Sequence, residues 1–187
     1  MIILARHGET PDNAAPSRIQ GHRDPPLSPR GREQARAMAD DMAARGIAAL
    51  HTSHLRRARE TADLVAARLG IEPASDPRLA EARMGEWEGR LKEDLQRERP
   101  EQWAAWRRGG AAFRFPGGES LAELQERVLA ALAEVRAGPL PAVVICHGGC
   151  IRAAFASASP RGLDAFHELT DVANAAVLTL PEPVGIA

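Results

Sequence analysis

The chain has 187 residues, of which 44% are hydrophobic and 26% charged, and its formal net charge at pH 7 is −1. These values are typical of a soluble globular protein with a buried core, and they argue against nucleic-acid binding through bulk positive charge. No apolar run approaches the roughly 20 residues of a membrane-spanning helix, and the start of the chain lacks the features of a signal peptide. We therefore expect a cytoplasmic protein without nucleic-acid or membrane partners, folded as one domain over residues 1–187.

The first predicted elements rest on short apolar runs and capping signals. Residues 2–5 form an apolar run that predicts a strand. A helix is predicted next, because Ser28 suits its N-cap, Pro29 its first position and Gly46 its end. A second strand is predicted over 47–53, where apolar residues return.

The middle of the chain is predicted as a helix followed by an irregular stretch. We expect Ser53 to cap the helix and Gly70 to close it, because the apolar residues between them recur at three- and four-residue spacing. Prolines interrupt residues 71–120, so only two short helices are predicted there, around 92–99 and 101–108.

The last third returns to regular patterns. Residues 119–138 predict an amphipathic helix, and the continuous apolar run at 141–146 predicts a strand buried on both faces. A helix is expected near 149–158 and a last strand over 175–180. This alternation predicts an α/β fold, a three-layer sandwich in which helices cover both faces of a central, mostly parallel sheet.

Two histidines stand where predicted strands end, each before a glycine. His7 follows the first strand, and His147 follows the strand over 141–146. Because ligands of α/β sheets bind beyond the carboxyl ends of the strands, the two side chains can meet in one crevice. Arg6 precedes His7, and Arg57 follows the second strand, so positive charge collects at the same edge. A small dianion such as a phosphate monoester fits these features.

The glycines beside both histidines suit a bound anion. Gly8 and Gly148 carry no side chain, so a ligand can approach the backbone there. The helix predicted after His147 also offers free N–H groups and the positive end of its dipole.

Six motifs together resemble a known family. They are RHGET at 6–10 with Asn13, QG at 20–21, SHLRRARETA at 53–62, LAEARMGEWEG at 79–89, PGGES at 116–120 and CHGG at 146–149. In this order they resemble the histidine phosphatase superfamily, in the branch that contains cofactor-dependent phosphoglycerate mutases and related phosphatases. The resemblance runs from residue 2 to about residue 180, and it implies a mixed sheet with helices on both faces.

The resemblance implies a role for each matched residue. His7 would be the nucleophile that takes the phosphoryl group, and a protonated His147 would hold that group from the side. Arg6 and Arg57 would bind its oxygens. Glu81 would protonate the leaving oxygen and then activate water. The residues expected around the phosphate are Gly8, Glu9, Asn13, Gln20, Gly21 and the backbone of Gly148.

The expected reaction needs no metal and no other cofactor. Phosphoryl transfer requires mainly positioning and charge neutralisation, and Arg6, Arg57 and a protonated His147 would set three positive charges against a dianion. Neutral imidazole is itself a good nucleophile near pH 7. The expected partner is a small phosphorylated metabolite. The oligomeric state stays open, with a homodimer as one option.

Several residues have simpler interpretations. His51 and His54 are spaced as a pair of metal ligands could be, but no further ligands stand near them in the sequence, so we expect both to be surface or strand-end residues. Cys146 and Cys150 are expected to be small buried thiols. Taken alone, Arg57 fits a solvated helix position equally well, as Glu81 fits a surface carboxylate, and the surrounding motifs favour a functional role for both.

The aromatic residues of 103–115 allow two interpretations. They either pack a subdomain onto the body of the protein or line a lid over the substrate, within a segment spanning 82–120. In the second case Arg107, Arg108 or Arg114 would meet an anionic group of the substrate.

Three functions are consistent with these motifs. The mutases of this family are longer and tend to have a tyrosine near Met84, whereas this chain contains no tyrosine. Its GEWEG sequence resembles that of the phosphatases. We therefore predict a metal-independent phosphoric monoester hydrolase that forms a phosphohistidine, with a cofactor-dependent phosphoglycerate mutase as the alternative. A catalytically silent binding module is a weaker alternative, because every central motif residue is present.

Overall fold

The five strands form one sheet in a computed structural model that describes residues 1–170 and 172–181. They are β1 (Ile2–Arg6), β2 (Ala49–Ser53), β3 (Ala74–Asp76), β4 (Ala142–Cys146) and β5 (Val177–Thr179). Their order across the sheet is β3-β2-β4-β1-β5. Strand β5 runs antiparallel to β1 and every other pair is parallel. The predicted mixed, mostly parallel sheet is therefore confirmed.

The helices lie close to the predicted positions. They are α1 (Pro29–Ala44), α2 (Arg56–Leu69), α3 (Lys92–Glu98), α4 (Pro100–Arg108), α5 (Leu121–Ala137) and α6 (Gly148–Ser157). Ser28 caps α1 as expected, because its side chain accepts a hydrogen bond from the N–H of Gly31. Gly70 ends α2 in the left-handed conformation, with φ of 69°. Within the two described ranges, no helix has the length and apolar character needed to cross a bilayer.

Alternate side chains of β1 pack against two different layers of helices. Ile3 belongs to a buried cluster with Met42 of α1 and Val65 of α2. Its neighbour Leu4 points to the opposite face and belongs to a cluster with Leu124 of α5. Burying a side chain of this size stabilises the fold by roughly 1.5–3 kcal/mol. The sheet is thus the middle layer of a three-layer sandwich, as the sequence predicts.

Two local expectations were wrong. Ala74–Asp76 forms a strand beside β2 inside a stretch expected to be irregular, and its mostly exposed three residues leave no apolar pattern to detect. Ser53 does not cap α2, because the N-cap is Leu55 and no side chain caps it. Instead, the Ser53 hydroxyl oxygen accepts from the Leu55 N–H at 3.2 Å and lies 2.8 Å from Nε2 of His147.

Candidate active site

Strands β1 and β4 bring the two histidines together. Arg6 lies opposite Cys146 in the parallel register, so His7 and His147 leave the sheet side by side. Their ring centroids are 5.1 Å apart, and both residues are buried. Nδ1 of His7 lies 2.7 Å from the carbonyl oxygen of Gly8. Because a carbonyl only accepts, Nδ1 carries the proton and Nε2 keeps a lone pair.

Arg57 lies directly beside this lone pair. Its Nε donates to Nε2 of His7 at 3.2 Å, and its two terminal nitrogens donate to the carbonyl oxygens of Arg23 at 2.7 Å and Gly21 at 2.9 Å. The residue is 1% exposed, so the alternative of a solvated helix position was wrong. The loop carbonyls fix the guanidinium where a phosphoryl group on His7 would meet it.

Burial controls the charge of the neighbouring groups. Arg6 donates to the carbonyl oxygen of Val172 at 2.6 Å, and burial lowers its pKa to about 10, which leaves it charged at neutral pH. Burial, followed by the nearby charge of Arg57, lowers the pKa of both His7 and His147 well below the usual range. Both imidazoles are therefore neutral in the free protein. Desolvation disfavours the charged form of His147 here, and its protonation beside a bound dianion stays a prediction.

Glu81 reaches the site from a loop and meets the start of α6. Its Oε2 accepts from the N–H of Gly149 at 3.2 Å, and its Oε1 accepts from the N–H of Ala82 at 2.9 Å. A Cβ at Gly149 would collide with Oε1 of Glu81. The second glycine of CHGG thus leaves room for this carboxylate, a contact between distant parts of the chain.

A cavity of about 300 Å³ opens over these groups. Glu81 lines it, whereas His147 is 0% exposed and is not among the lining residues. Nδ1 of His147 is buried and has no hydrogen-bond partner among residues 1–170 and 172–181. The other predicted residues that line the cavity are Arg6, His7, Asn13, Gln20, Gly21, Arg57 and Gly148.

Gly8 and Glu9 are not among the residues that line the cavity, so the structure does not bring them to their predicted place around the phosphate. A Cβ at Gly8 would collide with the backbone of Gly31 in α1, and the Gly8 N–H donates to the hydroxyl oxygen of Thr61 at 3.1 Å. The Glu9 carboxylate accepts from the hydroxyl of Ser28 at 2.8 Å. Both residues attach the loop after β1 to neighbouring helices.

Asn174 belongs to the site although no sequence signal marked it. Its Nδ2 lies 3.0 Å from Oδ1 of Asn13 and 3.3 Å from the carbonyl oxygens of His7 and Gly8. It stands in the turn before β5, which runs beside β1. Asn174 therefore connects Asn13 to the backbone of His7.

The cavity lining carries further positive charge. Lys92, at the start of α3, has a lowered pKa because of burial and the nearby charges of Arg6 and Arg152. Among the residues that line the cavity, Glu81 is the one carboxylate. The lining cations are Arg6, Arg18, Arg57, Lys92, Arg107 and Arg152. Arg152 lies four positions after Gly148, on the same face of α6, a spacing that could have identified it.

The aromatic segment both packs and lines the cavity. The buried Trp87 stacks on Trp103 with ring centroids 5.9 Å apart and meets Trp106 edge to face at 6.0 Å. Trp103, Trp106 and Arg107 also line the cavity. Arg114 pairs with a glutamate of α5 at the surface instead. Movement of this segment as a lid stays a prediction.

The cysteines are buried free thiols, as expected. The Cys150 thiol donates to the carbonyl oxygens of Leu79 at 3.3 Å and Ala80 at 3.0 Å, and burial raises its pKa well above the usual range. Across the described part of the chain, no group of three or more His, Cys, Asp or Glu side chains is arranged to hold a metal ion.

Comparison with known sequences gives a consistent result. The sequence profile of the histidine phosphatase superfamily (branch 1) matches residues 2–181. The chain is 41% identical over 157 residues to "Probable phosphoglycerate mutase GpmB" of Serratia proteamaculans (strain 568), an alignment that covers 80% of this chain and 72% of that protein. It is 36% identical over 164 residues to phosphoglycerate mutase-like protein 4 of Arabidopsis thaliana, with 85% and 71% covered.

Solved structures agree with the sequence comparison. A mycobacterial glucosyl-3-phosphoglycerate phosphatase in complex with VO3 superposes with a TM-score of 0.86 at 32% identity, over 94% of this chain and 90% of that chain. The neighbours thus include phosphatases as well as probable mutases. The resemblance seen in the motifs is confirmed, and the chain belongs to branch 1 of the histidine phosphatase superfamily.

Proposed function

We propose that this protein is a metal-independent phosphatase that hydrolyses small phosphate monoesters through a phosphohistidine at His7. The observation that carries the proposal is the position of His7, whose neutral imidazole directs Nε2 toward Arg57 at the cavity. A nucleophile, two guanidinium groups and one carboxylate then lie around a single space. Such a set supplies the positioning and charge neutralisation that phosphoryl transfer needs.

In the first step, Nε2 of His7 attacks phosphorus while the ester O–P bond breaks. The hydrogen bond from Nδ1 to the carbonyl of Gly8 stabilises the positive charge that develops on the imidazole. Arg6 and Arg57 neutralise the phosphoryl oxygens. Glu81, in its protonated form, transfers its proton to the leaving oxygen, so that an alcohol departs.

In the second step, water attacks the phosphohistidine. The Glu81 carboxylate takes a proton from that water, the P–N bond breaks, and inorganic phosphate leaves with His7 neutral again. His147 donates from Nδ1 to a phosphoryl oxygen in both steps. Its Nε2 is held by the Ser53 hydroxyl, which fixes the ring for this contact.

The excess of positive charge in the cavity lining supports a substrate with a second negative charge. Lys92, Arg107 and Arg152 line the cavity in addition to Arg6 and Arg57, and Glu81 is the one carboxylate of the lining. A phosphate monoester that also carries a carboxylate or a second phosphate would neutralise this excess. The structurally similar glucosyl-3-phosphoglycerate phosphatase is named for a substrate of this class.

A phosphoglycerate mutase activity is the second candidate, because the relative from Serratia proteamaculans is named a probable mutase. Incubation with 3-phosphoglycerate separates the two, since a mutase forms the 2-isomer faster than it releases phosphate. A phosphatase releases phosphate from several esters in a panel that includes fructose 2,6-bisphosphate, α-ribazole phosphate, nucleotides and sugar phosphates. Binding of these esters without turnover would instead identify a silent binding module.

The metal-free mechanism is tested in the same assay. Prolonged treatment with EDTA should leave the rate unchanged, because the proposed charges come from guanidinium groups. Loss of activity that magnesium or zinc restores would overturn this part of the proposal.

A further inference from the structure

The loop that carries Glu81 is held by side chains from other elements. Four consecutive carbonyl groups, from Arg78 to Glu81, all accept hydrogen bonds from side chains. Arg127 of α5 donates to three of them, at 2.7 Å to Arg78, 2.7 Å to Ala80 and 3.0 Å to Glu81. The thiol of Cys150 donates to the fourth, the carbonyl of Leu79, at 3.3 Å.

Arg127 is itself fixed by a buried carboxylate. Its Nε and one terminal nitrogen donate to the two oxygens of Glu119 at 3.1 and 2.6 Å, and Glu119 is 2% exposed. With the three carbonyls, these bonds use all five N–H donors of the guanidinium. The same Glu119 carboxylate accepts from the N–H of Arg83 at 2.9 Å. Arg127 and Glu119 therefore form hydrogen bonds with the backbone on both sides of Glu81.

We propose that Arg127 and Glu119 are positioning residues for Glu81. They hold the loop so that its carboxyl group meets the N–H of Gly149 above the cavity. Neither residue lines the cavity, so the pair acts through Glu81 and touches no substrate. This also gives a role to the PGGES motif, whose glutamate is Glu119. The inference rests on the proposed function, because it presumes that Glu81 donates a proton.

The test compares substrates with different needs for that proton. An alkyl phosphate such as β-glycerophosphate has a poor leaving group and requires the acid, whereas p-nitrophenolate leaves almost without help. A displacement of about 1 Å at a reacting group can cost up to ~10²-fold in rate. Arg127→Met and Glu119→Gln should therefore lower kcat/KM by tenfold or more on the alkyl ester and much less on the aryl ester. Arg127→Lys keeps the charge but loses the planar set of N–H donors, so its kcat/KM on the alkyl ester should lie between those of the wild type and Arg127→Met.

A double variant adds a second readout. If Arg127 acts through the acid, Arg127→Met should cost little more on the alkyl ester once Glu81→Gln is present, because coupled residues are not additive. The matched control is Glu126→Gln on the same helix, at an exposed residue next to Arg127 that does not line the cavity. That variant should leave the ratio of the two rates unchanged.

The outcomes separate this inference from the proposed function. Wild-type protein without turnover of either ester would sink the proposed function and this inference with it. With an active wild type, equal losses on both esters in folded Arg127→Met, or full additivity with Glu81→Gln, would overturn the positioning role alone. If Arg127→Met does not fold, the ratio for Arg127→Lys and Glu119→Gln decides in the same way.

Discussion

The two ends of the cavity are built differently. At the phosphate end, His7 follows a central strand and Arg57 is fixed by loop carbonyls, and both side chains are almost fully buried. At the far end, Arg107 comes from the short helix α4 and is exposed. The difference suggests a division of labour: the rigid end performs the chemistry shared by all substrates, and the far end selects among them.

The largest effect should come from removing the nucleophile at the rigid end. His7→Ala should reduce kcat to background on every substrate, because it removes the imidazole that lies beside Arg57 and takes the phosphoryl group in the proposed mechanism. The measurement is phosphate release by purified protein whose fold is checked by circular dichroism. His54→Ala, at an exposed histidine, is the control. Retention of more than a few per cent of activity by folded His7→Ala would contradict the proposal that His7 is the nucleophile.

Within that end, removing the Glu81 carboxyl group and removing the Arg57 guanidinium should have different effects. Glu81→Gln should lower kcat/KM by about 10²–10⁴-fold on an alkyl phosphate and much less on p-nitrophenyl phosphate, because only the alkoxide needs a proton. Arg57→Ala should lower it similarly on both, since the phosphoryl oxygens are common to all substrates.

The ratio kcat/KM is the appropriate measure, because it largely excludes the later dephosphorylation step. Arg56→Ala, at the exposed neighbour of Arg57, should leave kcat/KM unchanged for both substrates. Equal losses for Glu81→Gln on both esters would contradict its role as proton donor. No other carboxylate of the matched motifs could then replace it, because Glu9 and Glu119 lie outside the cavity lining.

A smaller and selective effect is expected at the far end. Arg107→Gln should lower kcat/KM roughly tenfold for esters with a second anionic group, since a hydrogen bond to a charged group is modest where water has access. It should leave p-nitrophenyl phosphate unchanged. Arg108→Gln is the control, because Arg108 does not line the cavity. A loss that is the same for all substrates would argue against the division of labour.

The smallest effect concerns stability and pH. The pKa of His7 and His147 is lowered by folding, so below about pH 6.5 the unfolded chain binds protons that the folded protein does not. The free energy of unfolding should therefore have its full value above that pH and decrease as the pH falls below it. Urea unfolding between pH 5 and pH 7 measures this. A free energy of unfolding that is constant over that window would show that the two imidazoles are not kept neutral by burial.

The sequence by itself determined the fold class and the location of the chemistry. Apolar residues run continuously along β1 and recur every three or four positions in α2, which indicates a strand buried on both faces and a helix with one buried face. His7 and His147 each follow such a strand, so the crevice at the carboxyl edge could be predicted. Order and spacing of the motifs added Glu81 and Arg57. All of these signals lie within a few residues of the position they describe.

Only the tertiary structure decided how these groups act. The neutral state of His147 depends on desolvation, which no neighbour in sequence reveals. The contacts of Asn174 with Asn13, and of Arg127 with the loop of Glu81, join residues far apart in the chain. Such contacts are set by the packing of whole elements and leave no periodic trace. The sequence therefore located His7 and Glu81, and the three-dimensional arrangement decided the charge state of His7, its neighbours and the support of the Glu81 loop.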